Sequence, residues 1–240
     1  MKKPHQKQLL TSIGFLSTFL LWTIAIRRID VQPIGPLGSL VGFSSLNKFI
    51  HQLTGVHWTL YAITDWLGLV PLCVMLGFAI FGLTQWVKRK HLLAVDRSIL
   101  VLGGFYAVVL AAYAVFEQFV VNYRPVLVNG SLEASYPSST TLLVLTVMPT
   151  CAMQLNARIK SPVIRHRITL IIMTFTAFMV GGRFVSGVHW ITDIIGGMLL
   201  SGGLVAAYTA ACEFNQINQA DSPRFRRLKL PKSPFSKCNI

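Results

Sequence analysis

Gly182-Arg183-Phe184-Val185-Ser186-Gly187-Val188-His189-Trp190-Ile191-Thr192-Asp193 separates two apolar runs, at 168–180 and 194–212, with an Arg, a His and an Asp at fixed intervals. His189 and Asp193 are four residues apart, so on one helix they share a face and come within hydrogen-bonding reach. An Asp that holds one imidazole nitrogen leaves the other available as nucleophile or base. Ionisable groups at the edge of a membrane span are costly to place and point to function. Chemistry is expected here.

Outward from that stretch the chain reads as membrane. Of its 240 residues 53% are hydrophobic and 12% charged, about half the charged share of an average soluble domain. Runs at 9–26, 66–87 and 99–121 approach the ~20 residues that cross a bilayer as a helix. Those at 141–155, 168–180 and 194–212 are shorter or carry polar edges. The expectation is an all-α bundle of six transmembrane helices, the fifth least marked, forming one domain over 1–212 with a basic tail at 213–240. Lys2, Lys3 and Lys7 ahead of the first run look like a secretory leader, but Arg27-Arg28-Ile29-Asp30 follows in place of a small-residue cleavage site. The first helix is expected to be retained.

The net charge of +14 is unevenly spread. Most Lys and Arg residues lie at the N-terminus, in 88–97, in 158–167 and in 224–237. With six spans all four clusters share one side, which the positive-inside rule places in the cytoplasm together with both termini. The charge therefore speaks for orientation and contact with membrane lipids, not for nucleic acid. Cys73 and Cys151 fall in spans, and Cys212 and Cys238 on the basic side. No outward disulfide is expected, and the spacing fits no zinc site. A bacterial cytoplasmic membrane suits this composition.

Three connections, 27–65, 122–140 and 181–193, occupy the opposite, outer side. Within the first, 40–53 has apolar residues at helical spacing, as in a helix lying in the interface. Such a helix serves as a lid or a point where lipid enters, or simply rests on the membrane. Thr54-Gly55-Val56-His57-Trp58 echoes Ser186-Gly187-Val188-His189-Trp190, and each is followed by a Thr-Asp pair. The spacings differ, so the echo reads as chance similarity, with His57 kept as a candidate for the site. The second connection holds Glu117, Arg124-Pro125, Glu133 and Pro137-Ser138-Ser139-Thr140. Proline and hydroxyl residues suit a helix start, whose N–H groups and dipole attract anions. With Arg124 and Arg183 beside it, that start makes a phosphate cradle.

Together these segments resemble the type 2 phosphatidic acid phosphatase family, membrane lipid phosphate phosphatases related to vanadium haloperoxidases. The family pattern is Lys-x6-Arg-Pro, then Pro-Ser-Gly-His, then Ser-Arg-x5-His-x3-Asp. Arg124-Pro125, Pro137-Ser138, and Arg183, His189 and Asp193 match it in order and spacing, over roughly residues 60–212. The resemblance implies the six-helix fold of that family and no cofactor or metal. It makes His189 the nucleophile, Asp193 its orienter, and Arg124, Arg183, Ser138, Ser139 and Thr140 the phosphate-binding set.

Three positions depart from the pattern. Glu117 stands in place of Lys, Gly182 in place of Ser, and Thr140 in place of the His that protonates the leaving group. Threonine is no acid near neutral pH, and general acid catalysis contributes typically 10²–10⁴-fold. Either the substrate has a good leaving group, as a lipid diphosphate does, or Glu117, Glu133 or His57 supplies the proton. The expected function is hydrolysis of a phosphate or diphosphate on a lipid, through a phosphohistidine, at the outer face. A silent lipid-phosphate binder and a head-group phosphotransferase are the alternatives. The partners implied are a phosphorylated lipid and membrane lipids, and the oligomeric state is left open.

Overall fold

The computed structural model describes residues 4–220; the 221–240 part of the basic tail, with Cys238, lies outside them. Among the described residues the chain forms eight α-helices: α1 Pro4–Ile26, α2 Ser44–Thr54, α3 Trp58–Leu67, α4 Leu69–Arg89, α5 Arg97–Gln118, α6 Ser139–Arg158, α7 Pro162–Val185 and α8 Ile191–Ala220. Six spans result, because α3 and α4 run on as one apolar stretch, Trp58–Arg89. Pro71 has no N–H to give the carbonyl four residues back, at Leu67, and α3 ends there.

The fifth span is longer than the expected 168–180. Pro162 opens α7 and the Ser161 hydroxyl accepts the Ile164 N–H at 3.4 Å, so the helix begins ahead of Arg165, His166 and Arg167. Long basic side chains at a membrane edge reach outward to water while their backbone stays helical. Likewise α8 continues to Ala220, past the expected boundary at 212.

Helix α8 is the centre of the bundle, packed against α1, α5 and α6. Helix α1 runs closely along it: Phe15 and Leu16 abut Gly202 and Gly203, and the Ser12 hydroxyl donates to the Gly203 carbonyl at 2.8 Å. Val144 and Val147 of α6 and Val109 of α5 are fully buried, while Leu21, Leu76, Leu83, Leu170 and Ile171 point outward. An apolar exterior on helices of this length is what hydrocarbon solvates. Buried hydroxyls inside the bundle are satisfied locally, with Thr146 donating to the Leu142 carbonyl and Thr150 to that of Thr146.

The basic segments collect at one end. His5 of α1 packs its ring against Phe214 of α8, and Arg158 at the end of α6 donates to the Ser98 hydroxyl at the start of α5. The opposite end is formed by α2, the loop before α6 and the turn between α7 and α8. Helix α2 has two unlike faces. Leu46, Phe49 and Leu53 are exposed, whereas Asn47 is buried and donates to the Gly42 carbonyl and the Thr192 hydroxyl at 2.8 and 3.0 Å. His51 sets its ring edge against Trp190 at 5.4 Å.

The two echoing segments pack against each other, so their likeness has a structural counterpart. The His57 N–H donates to the Ser186 carbonyl at 3.0 Å. Gly187, at φ +66°, lies so close to Gly55 that a Cβ would come within 1.8 Å of the Gly55 carbonyl oxygen. Gly187→Ala therefore meets both left-handed strain and a main-chain clash. It is expected to cost about 3 kcal/mol, read as a lowered thermal midpoint in detergent with Gly181→Ala, which meets open space, as the control.

Candidate functional site

Gly187 breaks the chain out of α7, and α8 starts only at Ile191. His189 therefore sits in the turn ahead of α8, while Asp193 lies in the helix's first turn. The expectation that the two share a helix face is corrected by this. Asp193 Oδ2 accepts the Trp190 N–H at 3.0 Å, half of a capping box that sets where α8 begins.

The link between His189 and Asp193 runs through a third residue. Ser135 Oγ lies 2.5 Å from Asp193 Oδ2 and 3.0 Å from His189 Nδ1. Asn122 Nδ2 donates to Asp193 Oδ1 at 3.3 Å. Asp193, Ser135 and Asn122 are all buried. The loop is pinched to bring them in: Ser135 N–H donates to the Asn122 carbonyl at 2.9 Å, and Arg124 N–H to that of Glu133 at 3.1 Å. The Trp190 indole holds this loop to the turn through the Tyr123 carbonyl at 2.8 Å.

Ser138 caps α6, fully buried, with its N–H on the Asp193 carbonyl at 3.1 Å and its hydroxyl accepting from Thr141 at 3.0 Å. The first bond within α6 is from Leu142 N–H to the Ser138 carbonyl. The amides of Ser139, Thr140 and Thr141 thus have no acceptor inside their own helix. A small cavity beside them is lined by Glu117, Ser135 and Ser139.

Arg183, in the last turn of α7, is 1% exposed. Its Nη2 donates to Asp65 Oδ1 at 2.7 Å. Tyr61, one turn before Asp65 on α3, lies under both guanidiniums, 5.0 Å from that of Arg183 and 5.8 Å from that of Arg124. Glu133 Oε2 is 3.2 Å from Arg124 Nε, an ion pair out of line for a hydrogen bond. Arg124 Nε and Nη1, Arg183 Nε and Nη1, and His189 Nε2 are buried with no hydrogen-bond partner among the described residues. Buried charge with unmet donors is costly. A multidentate oxyanion meets that need.

His189 is itself affected by these neighbours. Burial first, then the positive charges of Arg124 and Arg183, push its pKa well below the ordinary 6.5, with the Ser135 backbone opposing in part. The imidazole is neutral at pH 7, and Nε2 has no hydrogen-bond partner among the described residues.

Of the other sequence candidates, Glu133 borders the site on Arg124 and Glu117 lies at the small cavity. His57 is exposed, with Nε2 2.8 Å from the Thr54 carbonyl. Sequence reasoning did not single out Ser135, Asn122, Asp65 or Tyr61. Ser135 stands two residues before Pro137 and Asn122 two before Arg124, so motif flanks held the signal. Asp65 belongs to the Thr-Asp pair of the first echo.

The sequence profile of the PAP2 superfamily matches residues 72–217. The chain belongs to the PAP2 superfamily. A solved structure described as the first transmembrane PAP2 type phosphatidylglycerolphosphate phosphatase, from Bacillus subtilis, aligns with a TM-score of 0.59 at 17% identity, covering 89% of this chain and 98% of that one. That likeness shows a shared fold, the PAP2 membrane-phosphatase bundle of six long apolar helices. No curated protein sequence matches this chain.

At Gly182 the Thr64 side chain of this protein crowds the place where the family pattern has serine. A Cβ there would lie 2.7 Å from Thr64 Cγ2 and 3.6 Å from Leu60 Cδ1. Gly182→Ser is expected to destabilise the α3–α7 contact by about 1–3 kcal/mol, and thermal unfolding of the purified variant measures it.

Proposed function

We propose that this PAP2 protein hydrolyses a phosphate monoester or diphosphate carried by a membrane lipid, through a phosphohistidine on His189 Nε2. The supporting observation is the set of buried guanidinium nitrogens without partners beside a neutral imidazole whose Nε2 is bare. Arg124 and Arg183, with the amides at the start of α6, hold the equatorial oxygens and offset the charge that builds there. Nε2 attacks phosphorus in line, the N–P bond forms, and the P–O bond to the leaving group breaks. Water then attacks the phosphohistidine, its oxygen binds phosphorus, the N–P bond breaks, and inorganic phosphate departs with His189 neutral again.

The leaving group selects the substrate. Thr140 occupies the place where the family pattern has its acid, and two of the candidate replacements, Glu133 and His57, are engaged elsewhere. Glu133 is paired with Arg124, and the His57 ring is turned to the Thr54 carbonyl. A lipid diphosphate, which leaves as a phosphate monoester, needs protonation far less than an alcohol does. We therefore place lipid diphosphates ahead of monoesters such as phosphatidic acid or phosphatidylglycerophosphate. The basic end faces the cytoplasm by the positive-inside rule, which turns the site to the outer side of a bacterial cytoplasmic membrane.

Inorganic phosphate release by purified protein in detergent, from phosphatidic acid, lysophosphatidic acid, phosphatidylglycerophosphate and undecaprenyl diphosphate, tests this. Release is expected to be fastest from the diphosphate and to vanish in His189→Ala. Folded protein that releases nothing from any of them overturns hydrolysis and favours a binder or a head-group transferase. Thr140→His is expected to raise monoester turnover by up to about 10²-fold and to leave diphosphate turnover nearly unchanged.

The pH profile follows from His189. A lowered pKa keeps the nucleophile unprotonated as pH falls through 6.5, and activity is lost only at the lower, folded-state value. The ¹⁵N shifts of His189, followed from pH 8 to pH 5, should show no protonation at 6.5; protonation there would mean a solvated imidazole.

A further inference from the structure

We infer that Ser135 is the positioning residue that fixes the tautomer of His189, so that the site works as a His–Ser–Asp chain in which Asp193 reaches the imidazole through the Ser135 hydroxyl. The inference rests on the reading of His189 as nucleophile and adds a residue that the family pattern quoted above does not contain. It follows from counting protons. An ionised carboxylate only accepts, so the single Ser135 hydroxyl proton points to Asp193 Oδ2, 2.5 Å away. Ser135 Oγ is then left with lone pairs toward His189 Nδ1 at 3.0 Å. Nδ1 must carry the ring proton, and Nε2 must be the bare nitrogen.

The surroundings allow the hydroxyl little choice. Asp193 is held by the Trp190 N–H on Oδ2 and by Asn122 on Oδ1, which keeps the carboxylate turned to Ser135. Ser135 is 2% exposed and tied by its own N–H to the Asn122 carbonyl. When Nε2 bonds to phosphorus the ring becomes cationic. The Nδ1–H and Ser135 O–H dipoles then carry that charge toward the Asp193 carboxylate, and no proton has to leave the chain.

The experiment uses full-length protein labelled with ¹⁵N-histidine, in detergent, with two-bond ¹H–¹⁵N correlation spectra reporting the tautomer. His189→Gln assigns the His189 signals. Wild type is expected to show the Nδ1–H form alone. Ser135→Ala is expected to show mixed tautomers and a kcat for diphosphate lowered on the order of 10²-fold, with KM and inhibition by inorganic vanadate within about twofold. Ser135→Thr, which restores a hydroxyl, should recover the single tautomer and most of kcat. Ser135→Cys, close in volume and a weak donor, should behave as Ser135→Ala and replaces it if the alanine variant does not fold.

A Ser135→Ala or Ser135→Cys protein that keeps the pure Nδ1–H form and its kcat overturns the inference. So does a wild-type spectrum with the proton on Nε2. If wild type releases no phosphate from any lipid, the hydrolase reading fails while the spectra still decide the role of Ser135.

Discussion

A carboxylate sealed from water has to find donors, and much of the end of this bundle opposite the basic segments is folded around the one on Asp193. It accepts from the Trp190 backbone, from Ser135 and from Asn122, and its residue's carbonyl accepts from Ser138. These contacts tie the start of α8 to the start of α6 and to the loop between α5 and α6. Removing a donor would leave charge buried and unmet, at a cost larger than most single packing contacts contribute. The same bonds place the turn that carries His189 and the loop that carries Arg124. Anchoring a helix start and organising a site are one requirement here.

The positive side of the site is incomplete by comparison. Asp65 and Glu133 each engage one edge of an arginine, and Tyr61 offers its face to both. Several guanidinium donors still have no partner among the described residues. The two acids stand at the water boundary, while the guanidiniums lie beneath it. This arrangement keeps the cations in place and leaves their inner donors open, and the proposed reaction uses those donors for its phosphate. Glu117, where the family pattern has lysine, removes a third cation, so the two arginines and the amides of α6 carry the phosphate's charge in the proposed reaction.

Helix α2 joins an exposed apolar face to this centre. One face presents Leu46, Phe49 and Leu53 outward, and the other holds Thr192 through Asn47 and Trp190 through His51. Thr192 and Trp190 flank the residues that start α8. Helix α2 is thus a brace for the turn. Gly182 has a comparable explanation: α3 approaches α7 so closely that Thr64 occupies the space a serine would need.

The sequence alone determined the six spans, the basic end and the identity of Arg124, Arg183, His189 and Asp193 as the residues to watch. Those features are local: a bilayer sets the length of an apolar run, charge sorts the loops, and motif spacing survives in one dimension. Where local signals were weak, as at the start of α7 and the end of α8, boundaries moved by several residues. Tertiary structure decided the rest. It put His189 off the helix, Ser135 between His189 and Asp193, Asp65 on Arg183, and the two echoing turns face to face. Each of those relations joins residues more than fifty positions apart or depends on a glycine turn pressed against another backbone. Hydrogen bonds and steric exclusion act through space, and no periodicity along the chain records them.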